Sequence, residues 1–188
     1  MSRVLCTLKK KPAQGVSAVC NITVTKLTNI DLAHRACEFT LHKGGRSTIN
    51  LRRLYGSEHS PARTQMFWVE MRGIASSVSV HFVRHKIGVE HYVSTNRPDK
   101  GVDFVADRDS PVNHAMLCNA QTLLAMVRKR LCTKAEPLTR QVFIYLKDAV
   151  RKVDPDLAEF MVIECPYRGQ CFEPKCCGMS ESYYENVR

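Results

Sequence analysis

A run of basic, imidazole and hydroxyl side chains between residues 80 and 97 could bind an anionic, planar ligand. Arg84, His85 and Lys86 are consecutive, and Thr95 and Arg97 follow shortly after them. Apolar residues alternate with these polar groups, so some of the polar groups must lie near buried surface, where they need partners. A flat anion would supply those partners.

A second concentration of chemistry lies in the C-terminal segment, where glycine and proline residues separate closely spaced cysteines. Four thiolates can complete a tetrahedral structural zinc site, which would hold the tail in place without taking part in catalysis. Their spacing is not the paired Cys-x-x-Cys of a typical zinc site, so free thiols and disulfides remain alternatives. The four candidate metal ligands are Cys165, Cys171, Cys176 and Cys177.

The composition is that of a soluble globular protein, with 44% hydrophobic residues, 24% charged residues and a formal net charge of +10. We expect one domain over residues 1–163 and a cysteine-rich tail over residues 164–188. No apolar run approaches the roughly 20 residues that cross a bilayer, and no secretory signal is recognisable, so we expect a cytoplasmic protein without a membrane partner. The positive charge favours an anionic partner but does not choose among nucleotides, phosphorylated cofactors and nucleic acid.

The order of strands and helices read from the sequence predicts an α+β fold, with a mixed or antiparallel sheet packed with helices. These elements must position the groups described above. A helix over residues 74–84 would deliver Arg84, His85 and Lys86 at its end, and helix termini are good mounts for converging side chains. We also expect an N-terminal hairpin with its turn at residues 12–15, a helix capped by Asn29 or Asp31, a second one opened by Ser47 or Thr48, a strand over residues 64–72, a long helix over 112–132 and a further helix from Pro137.

Three separate pieces of the chain resemble the flavin-dependent thymidylate synthases, especially their short, divergent bacteriophage members. Arg84-His85-Lys86 followed by Thr95-Asn96-Arg97 resembles the family signature, and Glu58-His59 precedes it at the family's distance. The segment from Asn119 through Arg130 resembles the family's helical Asn-Ala-x-x-Leu segment. Together these pieces extend over residues 30–160, so the resemblance implies the family's fold for most of the chain.

The resemblance implies that FAD mediates transfer of a one-carbon unit from methylenetetrahydrofolate to C5 of dUMP, giving dTMP, with NADPH as the reductant. It also implies a homotetramer in which several chains build each active site. The residues implied to bind flavin are Arg84, His85, Lys86, Asn119 and, from a neighbouring subunit, His59. Those implied to bind the nucleotide are His81, Thr95, Arg97 and Arg130. Arg130 would also be catalytic, since a cation beside the pyrimidine stabilises the N3-deprotonated ring.

The sequence departs from the family pattern at Lys86, which replaces an arginine, and after Arg97, where the segment is much shorter. These departures leave a hydroxymethyl product or another nucleotide open. The basic run at residues 84–86 and Arg130 could also be cations that complement helix C-termini. A different class, a basic zinc-containing nucleic-acid-binding protein, is the alternative function, although no basic face is interleaved with exposed aromatic residues.

Overall fold

A computed structural model describes residues 21–101 and 107–178 and the backbone of residues 3–6. It confirms the α+β class, because helices pack against one antiparallel sheet. The described strands are β1 (Arg3–Cys6), β2 (Asn21–Lys26), β3 (Met66–Ala75), β4 (Val89–Val93) and β5 (Pro111–Asn119). The described helices are α1 (Ile30–Phe39), α2 (Leu51–Ser57), α3 (Ser76–Val83), α4 (Ala120–Arg130), α5 (Pro137–Val153), α6 (Pro155–Phe160) and α7 (Glu164–Arg168).

The sheet order is β1-β2-β3-β5-β4, and each neighbouring pair is antiparallel. Side chains alternate between the two faces, so Phe67, Val69 and Met71 of β3 are buried while Trp68 and Glu70 are partly exposed. This alternation is the signature of a sheet with one covered face. The covered face carries the hydrophobic core.

The core is completed by α5, which packs against β2 and against α3, α4 and α6. Phe143 of α5 stacks on Phe82 of α3, with ring centroids 4.4 Å apart and planes inclined by 11°. Both rings are fully buried, so this contact fixes α3 against α5. The end of α3, which carries the basic run, therefore has a rigid support.

The predicted long helix over residues 112–132 is wrong in its first half, where β5 runs to Asn119 before α4 begins. Val112, His114, Met116 and Cys118 are buried at alternate positions, which is the period of a strand. The apolar residues of this stretch fit a helical stripe as well as a strand. Residues 111–119 form a strand because they pair with both β3 and β4. The periodicity of this one segment does not reveal such pairing.

Several boundaries also differ from the predictions. Asn29 caps α1 as expected, since its side-chain oxygen accepts the Asp31 amide. The second helix is capped by Asn50 and not by Ser47 or Thr48, and β3 continues to Ala75 before α3 begins.

The strands β1 and β2 pair as an antiparallel hairpin, but its predicted turn at residues 12–15 lies outside the described residues. α7 begins at Glu164, the first residue of the predicted tail, and the division into domain and tail stays a prediction. In the described part of the chain no helix is long and apolar enough to cross a membrane.

Candidate functional site

The C-terminal ends of α3 and α4 meet, and four polar side chains converge there: His81, Arg84, His85 and Arg130, which we call the helix-end cluster. Arg130 Nε donates to His85 Nε2 across 3.3 Å, and Arg130 Nη2 donates to the carbonyl of His81, also across 3.3 Å. The His85 amide donates to the carbonyl of Phe82 at 2.9 Å, which continues the last turn of α3. The sequence-predicted His81, Arg84, His85 and Arg130 are thus brought together.

Burial and like charge act in the same direction within the helix-end cluster. Burial and then the Arg84 guanidinium lower the pKa of Arg130 from its usual value. Burial, followed by the charges of Arg130 and of His91, lowers the pKa of His85 to about 4. His85 is therefore neutral at neutral pH, as the acceptor of an Arg130 hydrogen bond must be. Burial, Arg130 and Arg84 likewise lower the pKa of His81.

The helix-end cluster has unused binding capacity. Neither Arg84 nor Arg130 forms an ion pair with another described residue. The Nδ1 atom of His81 is buried without a hydrogen-bond partner among the described residues. Two apolar side chains beside the cluster are exposed, Val80 by 46% and Ile87 by 90%. Uncompensated cations next to exposed apolar surface suit a ligand that is anionic and flat.

A close backbone approach anchors the loop that follows the helix-end cluster. Gly88 has φ +70°, and a Cβ at this position would lie 2.5 Å from both Asn119 Nδ2 and Thr122 Oγ1. Thr122 Oγ1 donates to the carbonyl of Ile87 at 2.8 Å, and the Asn119 side chain caps α4 by accepting the Thr122 amide at 3.0 Å. Asn119, predicted to bind flavin, therefore has a structural role that ties the loop to the start of α4.

A chain of hydrogen bonds that the sequence analysis did not identify runs behind this loop. His91 Nε2 lies 2.8 Å from the carbonyl of His85, and His91 Nδ1 lies 2.9 Å from His114 Nε2. His114 Nδ1 is 2.9 Å from Ser79 Oγ. The alternation of buried residues in β5 could have placed His114 on the inner face, but the pairing with His91 requires the β4–β5 register.

A second network, also missed, joins the end of α2 to α4 and α7. Glu58 binds the Arg128 guanidinium in a bidentate ion pair and accepts from Gln121 Nε2 at 2.5 Å. Burial acts to raise the pKa of Glu58, but the hydrogen bonds from Arg128 and Gln121 outweigh it and hold that pKa below its usual value. The Arg128 guanidinium also lies 3.4 Å from the ring centroid of Tyr167. Through this network, the side chain of Glu58, which directly precedes His59, is bonded to α4.

The other predicted site residues form no described bond with the helix-end cluster, although Lys86 directly follows His85. His59 is exposed and lines a separate cavity of about 450 Å³ with Asn50 and Arg53. Arg97 pairs with Asp99 at 2.8 Å, and its amide donates to Thr95 Oγ1. Lys86 is exposed. No described hydrogen bond or ion pair links these residues to the helix-end cluster.

Two of the four C-terminal cysteines line a small pocket, and the described residues around it form no metal site. Cys132, Cys165 and Cys171 line a small cavity of about 80 Å³, and Cys132 was not among the predicted ligands. Cys176 and Cys177 are exposed. Within the described ranges no group of three or more His, Cys, Asp or Glu side chains could hold a metal ion.

Comparison with known proteins identifies the class of fold. No protein-family model matches the sequence, and no curated protein matches it at a significant level. Solved structures do match, and they define the fold as that of the flavin-dependent thymidylate synthases.

Two of these structures show the extent of the likeness. Thymidylate Synthase X (ThyX) from Helicobacter pylori, with FAD and dUMP, has a TM-score of 0.56 at 14% identity, over 73% of this chain and 97% of that chain. The UMP/dUMP methylase PolB from Streptomyces cacaoi, bound with 5-Br dUMP, has a TM-score of 0.54 at 15% identity, over 74% of this chain and 94% of that chain. The predicted fold is confirmed.

Proposed function

We propose that this protein uses FAD to transfer a one-carbon unit to C5 of a pyrimidine deoxynucleotide, with dUMP as the substrate and dTMP as the product. The observation that carries the proposal is the Arg130–His85 contact, where a guanidinium that forms no ion pair with another described residue meets a neutral imidazole. The fold adds support, because structures that share it hold FAD and dUMP.

The helix-end cluster fits the flavin in charge and shape. The Nδ1 atom of His81, which has no hydrogen-bond partner among the described residues, and the guanidinium groups of Arg84 and Arg130, which form no ion pair with any of them, offer interactions to an anion. Exposed Ile87 offers apolar surface to a planar ring. Bound flavin would supply the redox chemistry of one-carbon transfer, and Arg84, His85 and Lys86, with Asn119 beside their loop, would hold it.

The protein's own side chains would prepare the nucleotide. Arg130 would face the pyrimidine and stabilise negative charge on its ring, since a preorganised cation in a site of low dielectric stabilises developing charge strongly. Hydrogen bonds to the His85 ring and to the His81 carbonyl orient the Arg130 side chain before substrate arrives. His81, Thr95 and Arg97 would complete the nucleotide site.

Assembly into a homotetramer would unite the separated residues. His59 lies in its own cavity, and Thr95 and Arg97 are exposed on a different segment from the helix-end cluster. Contact between copies of the chain would bring His59 of one subunit to the flavin of another. Exposed apolar side chains such as Phe39, which is 94% exposed, are candidates for burial in such contacts.

Product analysis tests the reaction. The protein is incubated with FAD, NADPH, dUMP and isotopically labelled methylenetetrahydrofolate, in the reducing conditions of the cytoplasm where we place it. Mass spectrometry should find the label in dTMP. If the label is found in hydroxymethyl-dUMP, the one-carbon transfer is supported and the proposed product, dTMP, is wrong. The assay is repeated with dCMP and with UMP in place of dUMP. If none of the three nucleotides acquires the label, the proposal is contradicted.

A further inference from the structure

In the hydrogen-bond chain from Ser79 to His85, the donor and the acceptor of the last bond are fixed by chemistry. A carbonyl oxygen only accepts, so the His91 nitrogen 2.8 Å from the His85 carbonyl must carry a proton on Nε2. If His91 is neutral, its Nδ1 accepts from His114 Nε2, and His114 Nδ1 then accepts from the Ser79 hydroxyl. The donors in this state all point from Ser79 toward His85.

The chain is buried where it meets the core. Ser79 is 5% exposed and His114 is 1% exposed, and His114 packs edge-on against the Phe82 ring with centroids 5.5 Å apart. Only one proton fits between His91 Nδ1 and His114 Nε2, because two N–H groups facing each other at 2.9 Å would repel. Packing and hydrogen bonding together leave the His91 ring one orientation.

His85 is consequently held at three points. Its carbonyl accepts from His91, and its ring accepts from Arg130 Nε. Its amide is bonded to the end of α3 through the carbonyl of Phe82. Between these bonds the residue has little freedom to turn, although it lies just beyond the end of a helix.

We propose that His91 is a positioning residue for the helix-end cluster, which orients the His85 peptide from β4 and so sets where the His85 ring meets Arg130. This rests on the proposed function in assigning the helix-end cluster to flavin and nucleotide. His114 and Ser79 act through His91, to which they are joined by hydrogen bonds. Neither histidine was assigned a role by the sequence.

The test compares two substitutions of one residue. His91→Gln keeps a donor for the His85 carbonyl and an acceptor for His114, whereas His91→Leu keeps neither. We expect His91→Leu to weaken FAD and dUMP binding by about tenfold, the size of one well-placed hydrogen bond, and His91→Gln to restore most of it. A role in stability alone would lower the unfolding temperature of His91→Leu and leave both affinities unchanged, which would overturn the proposal.

A measurement without ligand separates this proposal from the proposed function. Nitrogen-15 NMR of the flavin-free protein should show His91 protonated at Nε2, and His91→Leu should shift the His85 ring and Arg130 Nε resonances. If those resonances stay in place, the positioning role is wrong even in a protein that binds flavin. If they shift in a protein that binds no flavin, the proposed function fails and the positioning role stands.

A second variant covers the case in which His91→Leu does not fold. Ser79→Ala removes only the far end of the chain and makes a small change in volume. We expect a shift of the His85 ring resonances in the same direction and of smaller size. Unchanged resonances in Ser79→Ala, together with wild-type FAD and dUMP affinity, would overturn the proposal.

Discussion

Arg130 Nε and His85 Nε2 lie 3.3 Å apart, so a cation and a neutral imidazole are joined where α3 and α4 end. The contact works only while His85 is neutral, and burial together with the Arg130 charge keeps it so by lowering its pKa to about 4. Partial burial also lowers the pKa of Arg130, which forms no ion pair with another described residue. An anionic ligand would give the Arg130 guanidinium a partner.

Replacing Arg130 by alanine tests its role in binding and catalysis. We expect turnover with dUMP to fall by about 10² to 10³ and dUMP affinity to weaken, because a preorganised charge contact is removed. Arg151→Ala makes the same change of charge in a half-exposed residue on α5 that pairs with Asp148. Steady-state kinetics should leave Arg151→Ala near wild type, and an equal loss in both variants would reject the assignment of Arg130.

Adding a methyl group at Gly88 tests how the loop is seated on α4. An alanine at Gly88 would have to adopt φ +70° and would place its Cβ 2.5 Å from Asn119 and Thr122 atoms, whereas Gly101 has φ +80° and nothing within 4 Å of its Cβ position. We expect Gly101→Ala to cost ~1 kcal/mol of unfolding free energy and Gly88→Ala ~1–3 kcal/mol more. Urea unfolding measures both, and equal losses would show that the approach to Asn119 is not tight.

The Glu58–Arg128 pair should matter more than an exposed pair of the same geometry. Arg128 and Glu58 have side chains only 10% and 18% exposed, so Arg128→Met would leave a largely buried carboxylate without its cation. We expect a loss of about 3 kcal/mol. Arg52 binds Glu159 in a bidentate pair with side chains 63% and 49% exposed, and Arg52→Met should lose much less stability, because solvent screens an exposed pair. Thermal unfolding of the two variants gives the comparison.

The two depressed histidine pKa values predict a dependence of stability on pH. His85 and His114 have a pKa of about 4 in the folded protein, chiefly through burial, against about 6.5 in an unfolded chain. The unfolded state therefore binds more protons between these values, and stability falls as pH decreases from about 6.5 to about 4.

His85→Asn should reduce the slope of the unfolding free energy against pH in this window, by up to the amount that corresponds to about one bound proton. His42 is exposed, and His42→Asn serves as the control. A slope that is the same in His85→Asn and wild type would contradict burial of a neutral His85.

The sequence predicted the fold class and brought His81, Arg84, His85 and Arg130 into one site, because the first three share a helix end and the resemblance supplied the fourth. It did not predict the His91–His114 contact, since that contact depends on the register of β4 against β5. Nor did it separate the strand β5 from the helix α4, because apolar residues on both elements fit one helical stripe. Pairing between strands that are distant in the sequence determines both the His91–His114 contact and the strand β5. The local spacing of residues says little about such pairing.

Titration of the purified protein with FAD, followed by visible absorbance, measures whether the helix-end cluster binds flavin. We expect uptake of FAD, a change in the bound flavin spectrum when dUMP is added, and loss of that change in Arg130→Ala. A folded protein that remains colourless, takes up no FAD and instead binds DNA or RNA with a steep salt dependence would contradict flavin binding at this cluster.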